Sequence, residues 1–288
     1  MTVDQKILNL YDDYGASRID RRDFMIKTAV IVGSVTLAGR LLSILENNQA
    51  QAAMIAADDA RLMAEMIKFP GPNGKVDGYF AKPKGDGKLP GVVVIHENRG
   101  LNDHIKDVTR RVAVEGFLAL APDALSASGG TPPEQDKAIK MIGELDPKAT
   151  LGDFLAAVKY LATLPESTGK VGVMGFCWGG GMSNQVAVHS PELVAAVPYY
   201  GRQPAAEDVP KIKAPLLLHY AGDDDFINPG IPAYEAALKK AGVDYQLFMY
   251  PGAKHAFNND TNAERYNKEA AALAWQRTMA FLKEKLKT

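Results

Sequence analysis

A chain of 288 residues that is 47% apolar and 23% charged and carries 17 prolines is neither collagen-like, low-complexity nor wholly disordered, and it suits a globular protein with a sizeable core. Its 33 Lys and Arg against 34 Asp and Glu leave a formal net charge of −1, with no basic stripe that would draw nucleic acid. The single cysteine, Cys177, excludes an intramolecular disulfide and a thiolate-caged zinc, and none of the five histidines is spaced as a ligand pair, so no structural metal is expected.

The first fifty residues read as an address. Arg21-Arg22-Asp23-Phe24-Met25 and Lys27 precede twelve uncharged, mostly apolar residues from Thr28 to Gly39, closed by Arg40. Twelve is too short to cross a bilayer, which takes about 20, but it suits the apolar region of a signal peptide. Ala50-Gln51-Ala52 then offers the small-x-small pattern of a signal-peptidase site. The whole resembles a twin-arginine export signal, with two departures: Asp4, Asp12, Asp13 and Asp20 make the preceding stretch acidic, and the lysine falls one position late. The expectation is a periplasmic protein that meets the export machinery transiently and loses residues 1–52. The competing reading is a helical arm retained on a cytoplasmic protein, packed on the body or on a second copy as a homodimer.

Residues 53–288 read as one domain. Glu65–Phe69 and Val76–Lys82 flank the turn cluster Pro70-Gly71-Pro72-Asn73-Gly74 and predict an antiparallel hairpin. Val92–Ile95 is a continuous β-branched run, as in a strand buried on both faces. Similar runs follow at Leu118–Ala121, Val171–Met174, Val194–Val197, Leu216–Leu218 and Tyr245–Tyr250. Helical patterns alternate with them at Asp103–Glu115, Leu151–Leu164, Trp178–Val188, Pro232–Ala241 and Ala263–Leu286. The alternation predicts a doubly wound, mostly parallel α/β sheet with the hairpin at one edge. Ser126–Asp146, rich in Ser, Gly, Pro and charge, is expected to be an irregular surface excursion.

Gly175-Phe176-Cys177-Trp178-Gly179 lies between a predicted strand and a predicted helix. It has the G-x-nucleophile-x-G form of a nucleophile elbow, with Cys where Ser is usual. The turn holds the nucleophile in a strained conformation, so side chains two residues to either side would collide. The helix that follows aims its N-terminal N–H groups at the sulfur, which favours a thiolate, and the Trp178 N–H is placed to stabilise an oxyanion. The bland alternative is a small core cysteine, but strand, glycines and helix agree on the elbow. A thiol nucleophile needs a base and an orienting acid. His255 follows the last predicted strand through Pro251-Gly252, and Asp223-Asp224-Asp225 follow the one before. Both lie at the carboxyl edge of the sheet, where open α/β folds bind ligands. The residues alone do not choose among the three aspartates. His96 and His219 end apolar strands and are expected to be structural; His104 starts a helix and His189 ends one.

Gly175–Gly180, Gly222-Asp223-Asp224-Asp225-Phe226-Ile227, His255-Ala256-Phe257 and His96-Glu97-Asn98 occur in an order that resembles the dienelactone hydrolase family. The likeness runs from about Glu65 to Leu286 and implies an α/β-hydrolase fold. By resemblance the acid is Asp224, with Phe226 as a pocket wall. Glu97 would restrain the resting Cys177 thiol until substrate displaces it, and the Asn98 N–H would be the second oxyanion donor. The family's arginine just beyond the catalytic His is missing, since Asn258-Asn259-Asp260 holds no cation. Arg202 is the candidate replacement for gripping a substrate carboxylate, with Arg99 behind it. Tyr200, with Tyr199, Trp178 and Phe257, would make the pocket aromatic.

The expectation is a hydrolase that cleaves a small ester or lactone of the dienelactone type through a thioester on Cys177. His255 would act as base and acid, Asp224 would orient it, and no metal or organic cofactor is implied. A broad carboxylesterase is the nearest alternative. A thiol-based redox or scavenging protein and a non-catalytic binding module on the same fold are the rivals from other classes.

Overall fold

The Pro72-Asn73 turn folds β1 (Leu62–Gly71) back on β2 (Gly74–Pro83), in antiparallel register from Leu62↔Pro83 to Gly71↔Gly74. In this computed structural model, which describes residues 6–7, 10, 19–39 and 54–286, six further strands complete the sheet. They are β3 (Leu89–Ile95), β4 (Leu118–Pro122), β5 (Ser167–Phe176), β6 (Ala195–Tyr199), β7 (Leu216–Asp223) and β8 (Tyr245–Lys254). Their order is β1-β2-β4-β3-β5-β6-β7-β8. β2 meets β4 antiparallel, and every pairing from β4 to β8 is parallel. The sequence therefore led to the right architecture. Val92 to Ile95 are fully buried, each contributing about 1.5–3 kcal/mol of apolar burial, because helices cover both faces.

On one face lie α2 (Asp103–Val114) and α7 (Lys268–Lys285), and on the other α3 (Gln135–Gly143), α4 (Pro147–Thr163), α5 (Trp178–His189) and α6 (Ile231–Ala241). Two expectations need correction. The stretch 126–146 is not wholly irregular: Ala138 and Ile142, one turn apart, are buried and dock α3. The last helix begins at Lys268 rather than Ala263, because the Asn267 side chain accepts the Ala270 N–H and caps it there.

The chain divides into two compact units, Met1–Ala52 with Asp260–Glu264, and Ala53–Asn259 with Arg265–Thr288. In the first, α1 (Arg21–Val32) starts at Asp20, whose carboxylate accepts the Asp23 N–H at 2.7 Å, and ends at Gly33 with φ 73°. Among the described residues no helix is long and apolar enough to cross a membrane. Ala50-Gln51-Ala52 lies outside the described residues.

The strand order reverses at β3, with β4 on one side and β5 on the other. A crevice at the carboxyl ends of the strands forms at such a switch point, and it is there that Glu97, Asn98 and Cys177 emerge.

Candidate active site

Cys177 sits between β5 and α5 with φ 56° and ψ −114°, a left-handed conformation that a non-glycine residue adopts only under constraint. Its N–H donates to Tyr199 O at 3.0 Å, which ties the turn to β6. The motif glycines are required by close approach. A Cβ on Gly175 would stand 2.3 Å from Gly179 O, and one on Gly179 would stand 2.3 Å from His96 O. The absence of both side chains lets α5 start directly against the end of β3. Cys177 is the N-cap of α5 and makes no side-chain cap hydrogen bond, so the helix's first N–H groups face the region of the sulfur.

Asp224 follows β7 immediately and His255 follows β8 immediately. Their side chains and that of Cys177 form one line. Asp224 Oδ2 lies 2.6 Å from His255 Nδ1, and His255 Nε2 lies 3.0 Å from Cys177 Sγ. Asp224 Oδ1 accepts the Ile227 N–H at 3.1 Å, which fixes the carboxylate. Of the three aspartates only Asp224 is buried, while Asp223 and Asp225 are exposed. Burial works against a charge on His255, but hydrogen bonds to Asp224 and Cys177, and the charges of both, outweigh it and push the pKa up to about 10. The same partners favour the imidazolium once the ring has taken up a proton.

Glu97 is 4% exposed, and its contact corrects an expectation. Its Oε2 accepts from Asn259 Nδ2 at 2.6 Å, its Oε1 has no hydrogen-bond partner among the described residues, and the sulfur's partner is His255. The thiol is therefore not held by Glu97 in this conformation. The Asn259 amide donates to one carboxylate oxygen without adding charge and leaves the other, Oε1, without a partner among the described residues. Sequence reasoning weighed Asn259 only as a missing cation; an amide four residues past His255 was the available signal.

Trp178 is the first residue of α5, and its ring stacks on His96 at 5.2 Å. Asn98, half-buried, follows Glu97 in the loop after β3. His96 itself is structural. It is fully buried, its Nδ1–H donates to Glu97 O at 2.6 Å, and its Nε2 accepts the Ala124 N–H. Burial pushes its pKa down.

A cleft of about 460 Å³ flanks the Asp224–His255 side, lined by Asp223, Asp224, Phe226, Lys254, His255 and Arg265. Phe226 lines it as expected and is 75% exposed. Arg202 is exposed and stacks over the Phe226 ring at 5.2 Å, outside the cleft lining. Arg99 is half-buried and does not line the cleft either. Tyr200 corrects a second expectation. Its ring is fully buried, 5.1 Å from the His255 ring and 5.3 Å from Phe257, so it backs His255 rather than forming an aromatic pocket wall. The cations Lys254, at the end of β8, and Arg265 were missed, because a single charged residue carries no sequence signal of its own. Among the described residues no group of three or more His, Cys, Asp or Glu is arranged to hold a metal.

Comparisons with known proteins bear on the family and the fold. Residues 76–286 match the profile of the Dienelactone hydrolase family. A Saccharolobus solfataricus protein named as a carboxymethylenebutenolidase is 36% identical over 259 residues, covering 77% of this chain and 98% of that relative. One of the same name from Escherichia coli K12 is 31% identical over 247 residues, covering 80% and 90%. The crystal structure of a Klebsiella pneumoniae dienelactone hydrolase superposes with a TM-score of 0.72 at 29% identity, covering 77% of this chain and 99% of that one. With its α/β-hydrolase fold, the chain belongs to the dienelactone hydrolase family, and its activity is hydrolytic.

Proposed function

We propose that the protein cleaves carboxylic esters and lactones, a carboxymethylenebutenolidase-type lactone first among them, through a thioester on Cys177. The observation that carries the reading is the aligned hydrogen-bonded series Asp224–His255–Cys177 on a strained strand-to-helix turn. His255 Nε2 takes the thiol proton as Sγ attacks the carbonyl carbon. The resulting oxyanion is held by the N–H groups of Trp178 and Asn98. Collapse breaks the acyl C–O bond, and His255 returns its proton to the leaving oxygen, which stays on the same molecule when a lactone opens. Water, deprotonated by His255, then attacks the thioester and releases a carboxylic acid and the thiol. Asp224 keeps the ring oriented and supports the imidazolium throughout. Lys254 and Arg265 in the flanking cleft suit a substrate that carries an anionic group.

The test is turnover of p-nitrophenyl acetate and of a dienelactone by wild type and Cys177→Ala in parallel. Turnover of both by the wild type is expected, with a loss of about 10³-fold or more in the variant. An active alanine variant, or a wild type inert on both, would overturn the reading. For the N-terminal segment we propose export by a twin-arginine route, supported by Arg21-Arg22 and the uncharged residues 28–39.

A further inference from the structure

Beneath the nucleophile turn, on the α7 face of the sheet, lies a buried polar chain that the reaction does not consume. Arg277 Nη1 donates to Tyr250 Oη at 3.2 Å. Tyr250 Oη lies 2.9 Å from His219 Nδ1, His219 Nε2 lies 3.0 Å from Thr278 Oγ1, and Thr278 Oγ1 lies 2.6 Å from Tyr199 Oη. Tyr199, His219 and Thr278 are wholly inaccessible and Tyr250 is 5% exposed, so each of these groups depends on its neighbour for a partner.

The chain has one direction. A guanidinium cannot accept a hydrogen bond, so the Tyr250 oxygen receives from Arg277 and keeps its own proton to place on His219 Nδ1, the arrangement in which neither group lacks a partner. Burial, with Arg277 close by, pushes the His219 pKa down to about 3, so the ring is neutral. In that arrangement its proton is on Nε2 and donates to Thr278. Thr278 faces the core from α7 among Ala271, Ala274 and Leu282, all buried, a position that an isosteric valine would fill as well by volume.

The inner end of the chain reaches the reacting groups through two residues. Tyr199 O accepts the Cys177 N–H at 3.0 Å, and Tyr199 is in register with Phe176 on one side and His219 on the other. The N–H of Tyr200 donates to His219 O at 2.7 Å, and Tyr200, held at φ 37°, backs the His255 ring at 5.1 Å. We propose that Arg277, Tyr250, His219 and Thr278 are positioning residues, a directed hydrogen-bond chain that sets the Tyr199–Tyr200 step and through it the separation of Cys177 and His255. The proposal rests on Cys177 as nucleophile and His255 as base.

The experiment compares Thr278→Val with Thr278→Ser in the full chain, reading kcat and KM for p-nitrophenyl acetate and the rate of Cys177 alkylation by iodoacetamide at fixed pH. Folding is checked by circular dichroism. The valine variant should lose about tenfold in kcat and in alkylation rate with KM within about twofold, since small misplacements of reacting groups act on the chemical step. The serine variant should recover most of the loss. A folded valine variant with wild-type kcat and alkylation, or a serine variant as impaired as valine, would overturn the proposal. If valine prevents folding, Tyr250→Phe should show the same losses in kcat and alkylation rate, and a folded Tyr250→Phe protein with wild-type values would overturn the proposal. Nitrogen-15 NMR of the wild type should find His219 as the neutral Nε2–H tautomer, and an Nδ1–H or charged ring would also overturn it. Failure of the nucleophile reading would show separately, as turnover by Cys177→Ala.

Discussion

Cys177, Tyr200 and Ala256 have φ of 56°, 37° and 68°, and among the described residues they are the non-glycine positions in the left-handed region. Each such conformation costs about 1–3 kcal/mol, and all three lie at Cys177, behind His255, or next to it. The strain is offset by packing and by the hydrogen bonds that tie the Cys177 and Tyr200 N–H groups to neighbouring strands. Asp224 acts at the same scale. Because its carboxylate helps raise the His255 pKa from 6.5 to about 10, the folded protein holds that proton more tightly than the unfolded chain. The stabilisation is fully present below about pH 6.5 and is lost as pH rises through about 10. Asp224→Asn should therefore flatten the decline of melting temperature between pH 7 and 10 relative to wild type, and should lower kcat by about 10²-fold or more. Asp223→Asn and Asp225→Asn, at exposed positions, should change neither measurement appreciably. Equal losses at all three aspartates would remove Asp224 from its role.

Strand ends do the positioning at the next scale. The site draws on the carboxyl ends of β3, β5, β6, β7 and β8, which adjoin in the sheet, so residues far apart in sequence meet without long loops. The junction of β3 with α5 has the least room. Gly179→Ala would put a Cβ 2.3 Å from the backbone oxygen of His96, a contact no rotamer can relieve. It should destabilise the fold by about 1–3 kcal/mol, read as a lower urea midpoint. It should also reduce kcat more than KM, by moving the Trp178 N–H away from the developing oxyanion. An alanine variant with unchanged midpoint and kcat would show that α5 can shift freely.

Taken as a whole molecule, the chain joins a hydrolase unit to an N-terminal segment for which export is proposed. Production of the full chain in a host with twin-arginine export, followed by intact-mass analysis of the periplasmic fraction, should yield a product that begins just after Ala52. A full-length protein confined to the cytoplasm would support the retained arm instead.

The alternation of apolar strands with amphipathic helices, the hairpin and the elbow were legible in the sequence, because periodicity and glycine placement are local consequences of backbone geometry. Asp224 became distinct from its neighbours only through family resemblance, and the structure adds the physical reason: it is the buried one of the three. Other features had no local signature. The pairing of Asn259 with Glu97, the burial of Tyr200 behind His255, and the cations of the flanking cleft depend on which loops adjoin, and so on strand order. The chain from Arg277 to Tyr199 is the plainest case. Its members come from β6, β7, β8 and α7, and only their packing on one face of the sheet brings their polar atoms within hydrogen-bond reach.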